Sequence, residues 1–115
     1  MEGVINMIIN FKDLKPNVVE NMRNGEGSVQ LIKYADDANS IVRITIKQNC
    51  SIGLHTHETD QEIIYVIKGN GKCLEDGVEY DLYPGLANYC AKGKNHSIRN
   101  PYEEDLELFA VITKQ

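Results

Sequence analysis

The 115-residue chain contains three histidines, and all of them fall into one pattern: His55-Thr56-His57, then a carboxylate at Glu62, then His96. Neutral imidazoles and carboxylates are ligand types that divalent first-row metals take, and four of them leave coordination positions for water or a substrate. A metal held in this way can polarise a carbonyl, lower the pKa of a bound water or hold a substrate for attack by dioxygen. The imidazoles must be neutral to bind, so affinity should fall as the pH drops through roughly 6.5. A His-x-His pair alone is no more than an even match between a metal site and two packed or solvated strand histidines. Glu62, Gly69 and His96 tip the balance to a metal. Glu58 and Asp60 are rival carboxylates, and they read as a solvated acidic turn because neither opens a strand.

These ligand types need elements that aim them at one point. In a strand, alternate side chains share a face, so His55 and His57 project together with Thr56 opposite. On a helix the same spacing would diverge. Glu62 opens the run Glu62-Ile-Ile-Tyr-Val-Ile-Lys68, β-branched and aromatic, which predicts the next strand. The short polar connection 58–61 lets the carboxylate return beside the imidazoles. His96 must then arrive from a distant strand, which requires sheets that close on themselves. Strands are also expected over 29–34, 41–48, 52–57, 72–75, 78–82, 88–91, 95–99 and 106–113, with no convincing helix. Asp76-Gly77 predicts a type I′ hairpin, Gly69-Asn70-Gly71 a reversal, and Gly25-Glu26-Gly27 a turn. Asn100 is placed to cap the turn that begins at Pro101. Many short strands between frequent turns mean an all-β sandwich or barrel.

The segment resembles the first motif of the cupins on His55, His57, Glu62 and Gly69. The second cupin motif is similar to Gly77 through Pro84-Gly85, followed by Gly93-Lys-Asn-His96 and Asn100. Asn49 stands where the first motif usually begins with glycine, Leu86 replaces a common acidic residue, and Ala91-Lys92 replace the usual prolines. No departure touches a ligand position. The resemblance implies a cupin-type jelly-roll β-barrel spanning 1–115 as one domain, with motifs over about 40–112. Residues 1–27 would then pack on the barrel or on a partner subunit. It also implies that His55, His57, Glu62 and His96 hold one divalent transition metal, either iron, manganese, nickel or zinc.

Strand alternation carries a further expectation. With Glu62 inside, Ile64 and Val66 follow it, leaving Ile63, Tyr65 and Ile67 outside. Leu108 and Ala110 likewise oppose Phe109 and Val111, while Val78, Tyr80 and Leu82 should share a face away from Glu79 and Asp81. An apolar outer face needs cover. Residues 4–11 or a second subunit could supply it, and a homodimer is expected because similar small cupins commonly form one.

The chain could bury about two-thirds of its unfolded surface, enough for a core without staples. It has no long apolar run and no basic, apolar leader, which excludes a membrane span or secretory signal among these residues. The net charge of −5 with dispersed lysines argues against nucleic acid or anionic membrane as partners. Cys50, Cys73 and Cys90 form no Cys-x-x-Cys pair, and their odd number speaks for small buried hydrophobes and a cytoplasmic location. Cys90 lies in a region that lines the cavity mouth in similar proteins. Tyr34, Arg43, Tyr89 and Arg99 are the other residues within possible reach of a cavity, each with a packing or solvated role as the plainer assignment. There is no phosphate loop.

Three function classes fit. The first is a metal-dependent enzyme on a small organic molecule, either an oxygenase or an isomerase or lyase. The second is a binding or sensing module for a sugar or other metabolite. The third is a structural metal. Small cupins with the full ligand set favour the enzyme.

Overall fold

The computed structural model describes residues 7–115, in which strands form two antiparallel sheets. The strands are β1 (Asn17–Glu20), β2 (Ser28–Ala35), β3 (Asn39–Ile46), β4 (Cys50–Thr56), β5 (Asp60–Lys68), β6 (Gly71–Glu75), β7 (Val78–Leu82), β8 (Ala87–Cys90), β9 (Asn95–Asn100) and β10 (Leu106–Lys114). One sheet runs β1-β2-β3-β10-β5-β8, and the other β4-β9-β6-β7. Together they make a jelly roll. The expected strands are all present within a residue or two at most ends, and β1 is an addition. Among the described residues helical structure is limited to two short 3-10 turns, Phe11–Asp13 and Met22–Asn24.

Alternation decides which side chains meet between the sheets. Glu62, Ile64 and Val66 of β5 face inward, as do Leu106, Leu108 and Ala110 of β10 and His96, Ile98 and Asn100 of β9. The aliphatic members fill the core, Glu62 and His96 meet toward one end of the sandwich, and Asn100 lies at the other, beside Ile46. Asn100 is fully buried because its side chain replaces backbone partners: Nδ2 donates to the carbonyls of Ile46 and Glu104, and Oδ1 accepts from Tyr102 N–H. It caps the turn at Pro101 as expected.

Turn chemistry follows the sequence. Asp76 and Gly77 both have positive φ, 48° and 81°, as a type I′ hairpin demands. Asn49, standing where cupins usually have glycine, has φ 64°, and asparagine tolerates that left-handed region better than most residues.

Strand β7 departs from expectation. Leu82 is buried, but Val78 and Tyr80 are exposed alongside Glu79 and Asp81. The strand is the edge of its sheet, paired with β6. A groove of about 320 Å³ remains between β7 and β8, with Tyr80 and Tyr89 on its walls.

The outer face of the larger sheet is apolar. Ile63, Tyr65 and Ile67 are 44%, 48% and 39% exposed. Phe11 stacks edge-on against Phe109 at 6.1 Å, so the N-terminal segment covers part of this face. Residues 4–6 of the covering segment lie outside the described residues.

Candidate metal centre

A β-bulge builds the site. Cα partners on β4 and β9 run Ile52 opposite Ile98, then His55 opposite His96, so three steps on β4 match two on β9. Without the extra residue, Ile52 and His55 would face opposite sides of the sheet. The bulge at Gly53-Leu54 turns both inward and expels Leu54, which is exposed. His57 follows just beyond β4, and Glu62 projects from β5 of the opposing sheet.

Four side chains therefore meet as the sequence predicts. One donor atom from each of His55, His57, Glu62 and His96 lies within 4.8 Å of the others. The Nε2 atoms of His57 and His96 stand 3.1 Å apart, and Glu62 Oε1 lies 3.1 and 3.0 Å from them. His57, Glu62 and His96 are buried, whereas His55 is partly exposed.

The outer ring nitrogens explain why the inner ones converge. His55 Nδ1 is 2.7 Å from the Gly53 carbonyl, His57 Nδ1 is 2.6 Å from Asp60 Oδ1, and His96 Nδ1 is 2.7 Å from Asn88 Oδ1. Each partner is an oxygen acceptor, which assigns the hydrogen to Nδ1 and leaves a lone pair on Nε2. Asn88 is itself oriented, since its Nδ2 donates to Glu75 Oε1 at 2.7 Å. Acceptors behind ligating histidines fix tautomer and ring direction in metal sites generally.

The donor set fits a divalent metal. Two lone pairs and a carboxylate oxygen this close repel one another unless a cation or proton lies among them. Ligands about 2.1 Å from one ion and at right angles stand about 3.0 Å apart, close to the spacing of the His57, His96 and Glu62 donors.

The electrostatics of the metal-free cluster agree. Burial would raise the Glu62 carboxyl, but hydrogen bonds from His57 and His96 overcome it and hold the group at about 2. The Glu62 hydrogen bond, with help from Asp60, raises His57 above its usual value despite burial. His55 moves the other way, because burial disfavours its charged form and the nearby charges of His96, Arg23 and His57 add to that.

Beside the cluster is a cavity of about 70 Å³. It is walled by aliphatic side chains including Leu31, Ile44 and Ile98, by His55, His57 and Glu62, and by Arg23 and Lys33.

Several expected residues lie elsewhere. Arg43 pairs with Glu107 at 3.3 Å, and Arg99 pairs with Glu79 at 2.9 Å. The Tyr34 hydroxyl donates to Asp36, and that of Tyr89 to Gln61. None of these four, nor Cys90, lines the cavity. Cys90 is fully buried and its thiol is pushed up to about 11 by burial, so it is a core residue and not part of a mouth. Glu58 is exposed, as a solvated turn residue should be, but Asp60 is not merely solvated: it holds His57. Its i, i+3 spacing from His57 was the available signal. Asn88, Arg23 and Lys33 have no comparable mark, since they meet the site only through long-range folding.

Comparison with known proteins agrees with this geometry. The family described as "Cupin domain" matches residues 42–112. The chain is 33% identical over 112 residues to the "Oxalate-binding protein" of Thermotoga maritima, covering 92% of this chain and 93% of that one. A solved structure from Thermotoga maritima, described as a predicted oxalate decarboxylase, is similar with a TM-score of 0.88 and 30% identity, covering 95% of this chain and all of that one. A cupin sugar phosphate isomerase from Silicibacter pomeroyi shares the fold at a TM-score of 0.78 and 13% identity, over 95% of this chain and 76% of that one.

Proposed function

The chain belongs to the cupin family, and on that footing we propose that it takes a small carboxylate at a divalent metal held by His55, His57, Glu62 and His96. The observation that carries this is the convergence of three Nε2 lone pairs and one carboxylate oxygen on a single buried point beside a small cavity. The cavity is far below the roughly 300 Å³ at which drug-sized sites begin, which favours a ligand of few heavy atoms. The names of two relatives supply oxalate as the first compound to try.

When bound, the metal would supply Lewis acidity and a coordination position for a ligand oxygen. The chain's own residues occupy each Nδ1 so that Nε2 faces the metal position, keep Glu62 ionised and line the cavity with aliphatic walls. An enzyme reading follows from the open coordination positions that four protein ligands leave on a six-coordinate ion. A lyase acting on oxalate would cleave its carbon–carbon bond, release carbon dioxide and add one proton to the remaining carbon to give formate, with no external oxidant. An oxygenase would instead consume dioxygen.

A second reading, binding without turnover, is favoured by the cavity lining. Apart from Glu62 and the histidines, no acid, tyrosine or thiol among the described residues lines the cavity, which leaves the Lys33 ammonium as the remaining proton donor there. One experiment separates the readings. Metal-loaded protein is titrated with oxalate in a calorimeter and assayed for formate, carbon dioxide and oxygen uptake. Formate without oxygen uptake supports the lyase, oxygen uptake the oxygenase, and saturable heat without products the binder. No heat and no products would reject a carboxylate ligand of this kind.

The proposal extends to assembly and location. A second copy would cover Ile63, Tyr65 and Ile67, and the three free cysteines suit a reducing cytoplasm. No helix among the described residues is long and apolar enough to cross a membrane.

A further inference from the structure

We propose that Arg23, with Lys33 across the cavity wall, forms an anion anchor that sets the charge and length of the ligand: one carboxylate pairs with the guanidinium while another oxygen reaches the metal position. This rests on the metal reading above and adds the residues that choose the ligand.

The lining of the cavity carries the inference. Beyond the three cluster residues it consists of seven apolar side chains and two cations, Arg23 and Lys33. An apolar wall with few charged groups directs a ligand by those groups alone. A divalent ion beside the Glu62 carboxylate leaves one positive charge, and Arg23 and Lys33 raise it to three, within a chain whose net charge is −5. Such a focus of one sign in an acidic protein raises the local concentration of anions. The other two arginines, Arg43 and Arg99, are each occupied by a glutamate, whereas Arg23 has no carboxylate partner among the described residues. A guanidinium is also the side chain that matches a carboxylate with two parallel hydrogen bonds.

The backbone supports a positioned arginine. Asn21, Arg23 and Asn24 all have positive φ, at 49°, 54° and 65°. Left-handed backbone is unfavourable for a non-glycine residue and persists only where its surroundings impose it. The surroundings here are the bulged strand β4 itself. The Arg23 carbonyl packs so close to Gly53 that a Cβ there would stand 2.1 Å from it, and Gly25 is equally tight against the Ser51 carbonyl. Glu26 and Ser51 exchange two hydrogen bonds, from Glu26 N–H to Ser51 Oγ at 2.8 Å and from Ser51 N–H to the Glu26 carbonyl at 2.9 Å. The turn that carries Arg23 and the strand that carries His55 are thus one rigid unit. Arg23 and His55 line the same cavity, so the turn delivers the guanidinium to the wall that the His55 ring shares.

The test uses the full-length protein loaded with manganese, with metal content measured for every variant. Wild type, Arg23→Gln, Arg23→Lys and Lys33→Gln are titrated with oxalate and with its uncharged counterpart oxamide. Wild type should prefer oxalate by tenfold or more. Arg23→Gln should lose at least tenfold in oxalate affinity with metal content and oxamide binding unchanged, and Arg23→Lys should recover part of the loss. Lys33→Gln should show a smaller, salt-sensitive loss. Equal oxalate affinity in wild type and Arg23→Gln, or a preference for oxamide, would overturn the anchor alone, whereas no binding of either would overturn it together with the carboxylate ligand proposed above. A wild type that retains no manganese would instead overturn the metal reading beneath it.

Discussion

Which ring nitrogen carries hydrogen decides what the cluster can hold. Asp60, Asn88 and the Gly53 carbonyl each take a hydrogen from Nδ1, so every Nε2 can present a lone pair once a metal displaces any proton held there. Removing one such acceptor typically weakens metal binding about 10- to 100-fold. Asp60→Ala should therefore raise the dissociation constant for manganese or zinc by that factor, whereas Glu58→Ala leaves it unchanged; equal effects in competition titrations would contradict the assignment. The metal-free protein has its own signature. His57 is raised above 6.5, so its contribution to stability is complete below 6.5 and is lost as the pH rises through the raised value. Glu62 is lowered from 4.5 to about 2, so its contribution is present above 4.5 and is lost as the pH falls towards 2. These two groups make metal-free protein most stable between pH 4.5 and 6.5, measured as urea midpoints with a chelator present. A midpoint that climbs steadily from pH 6 to 8 without metal would contradict this. The four converging residues were legible from type and spacing, because a two-residue strand repeat is a local property. Asp60 was misread as solvated, since the same acidic turn serves either role until the ring beside it is placed.

Strand β4 shows how an element converts spacing into a site. Its bulge lets Ile52 enter the core and His55 face the cluster on the same side of the sheet. Gly53 sits in that bulge against the Arg23 carbonyl, where neither backbone can yield to a methyl group. Gly53→Ala should cost about 2–3 kcal/mol in urea unfolding, within the upper range for single substitutions, and should reduce metal retention as the His55 strand shifts. A loss under about 0.5 kcal/mol, the scale of an ordinary surface change, would mean the turn does not brace the strand. The strands themselves were readable from alternation and turn residues, down to the Asp76-Gly77 hairpin. The bulge, the added strand β1 and the strained turn at Arg23 were not, because each depends on a neighbour distant in sequence. Strand β7 failed for a related reason. Alternation tells which side chains share a face, but not whether anything lies over that face.

At the scale of the molecule, the two sheets trap the cluster between them while one outer face stays apolar. Ile63, Tyr65 and Ile67 form a row beside Tyr89, its register partner across from Ile63. A homodimer through this face predicts a dimeric mass in light scattering at micromolar concentration, and a monomeric mass for Tyr65→Glu with its fold and metal content retained. A monomeric wild type would contradict the assembly. The jelly roll was legible in the sequence because its motifs mark both the four converging residues and the turns, whereas the cover for its outer face was not, since no local pattern distinguishes a partner from an arm. The central claim remains the metal, and its most direct test is elemental analysis of protein purified without an affinity tag or chelator. The account predicts about one equivalent of a divalent transition metal per chain, lost in His57→Ala and kept in Glu58→Ala. A wild type that carries none, and takes up none when manganese, iron, nickel or zinc is added, would contradict it.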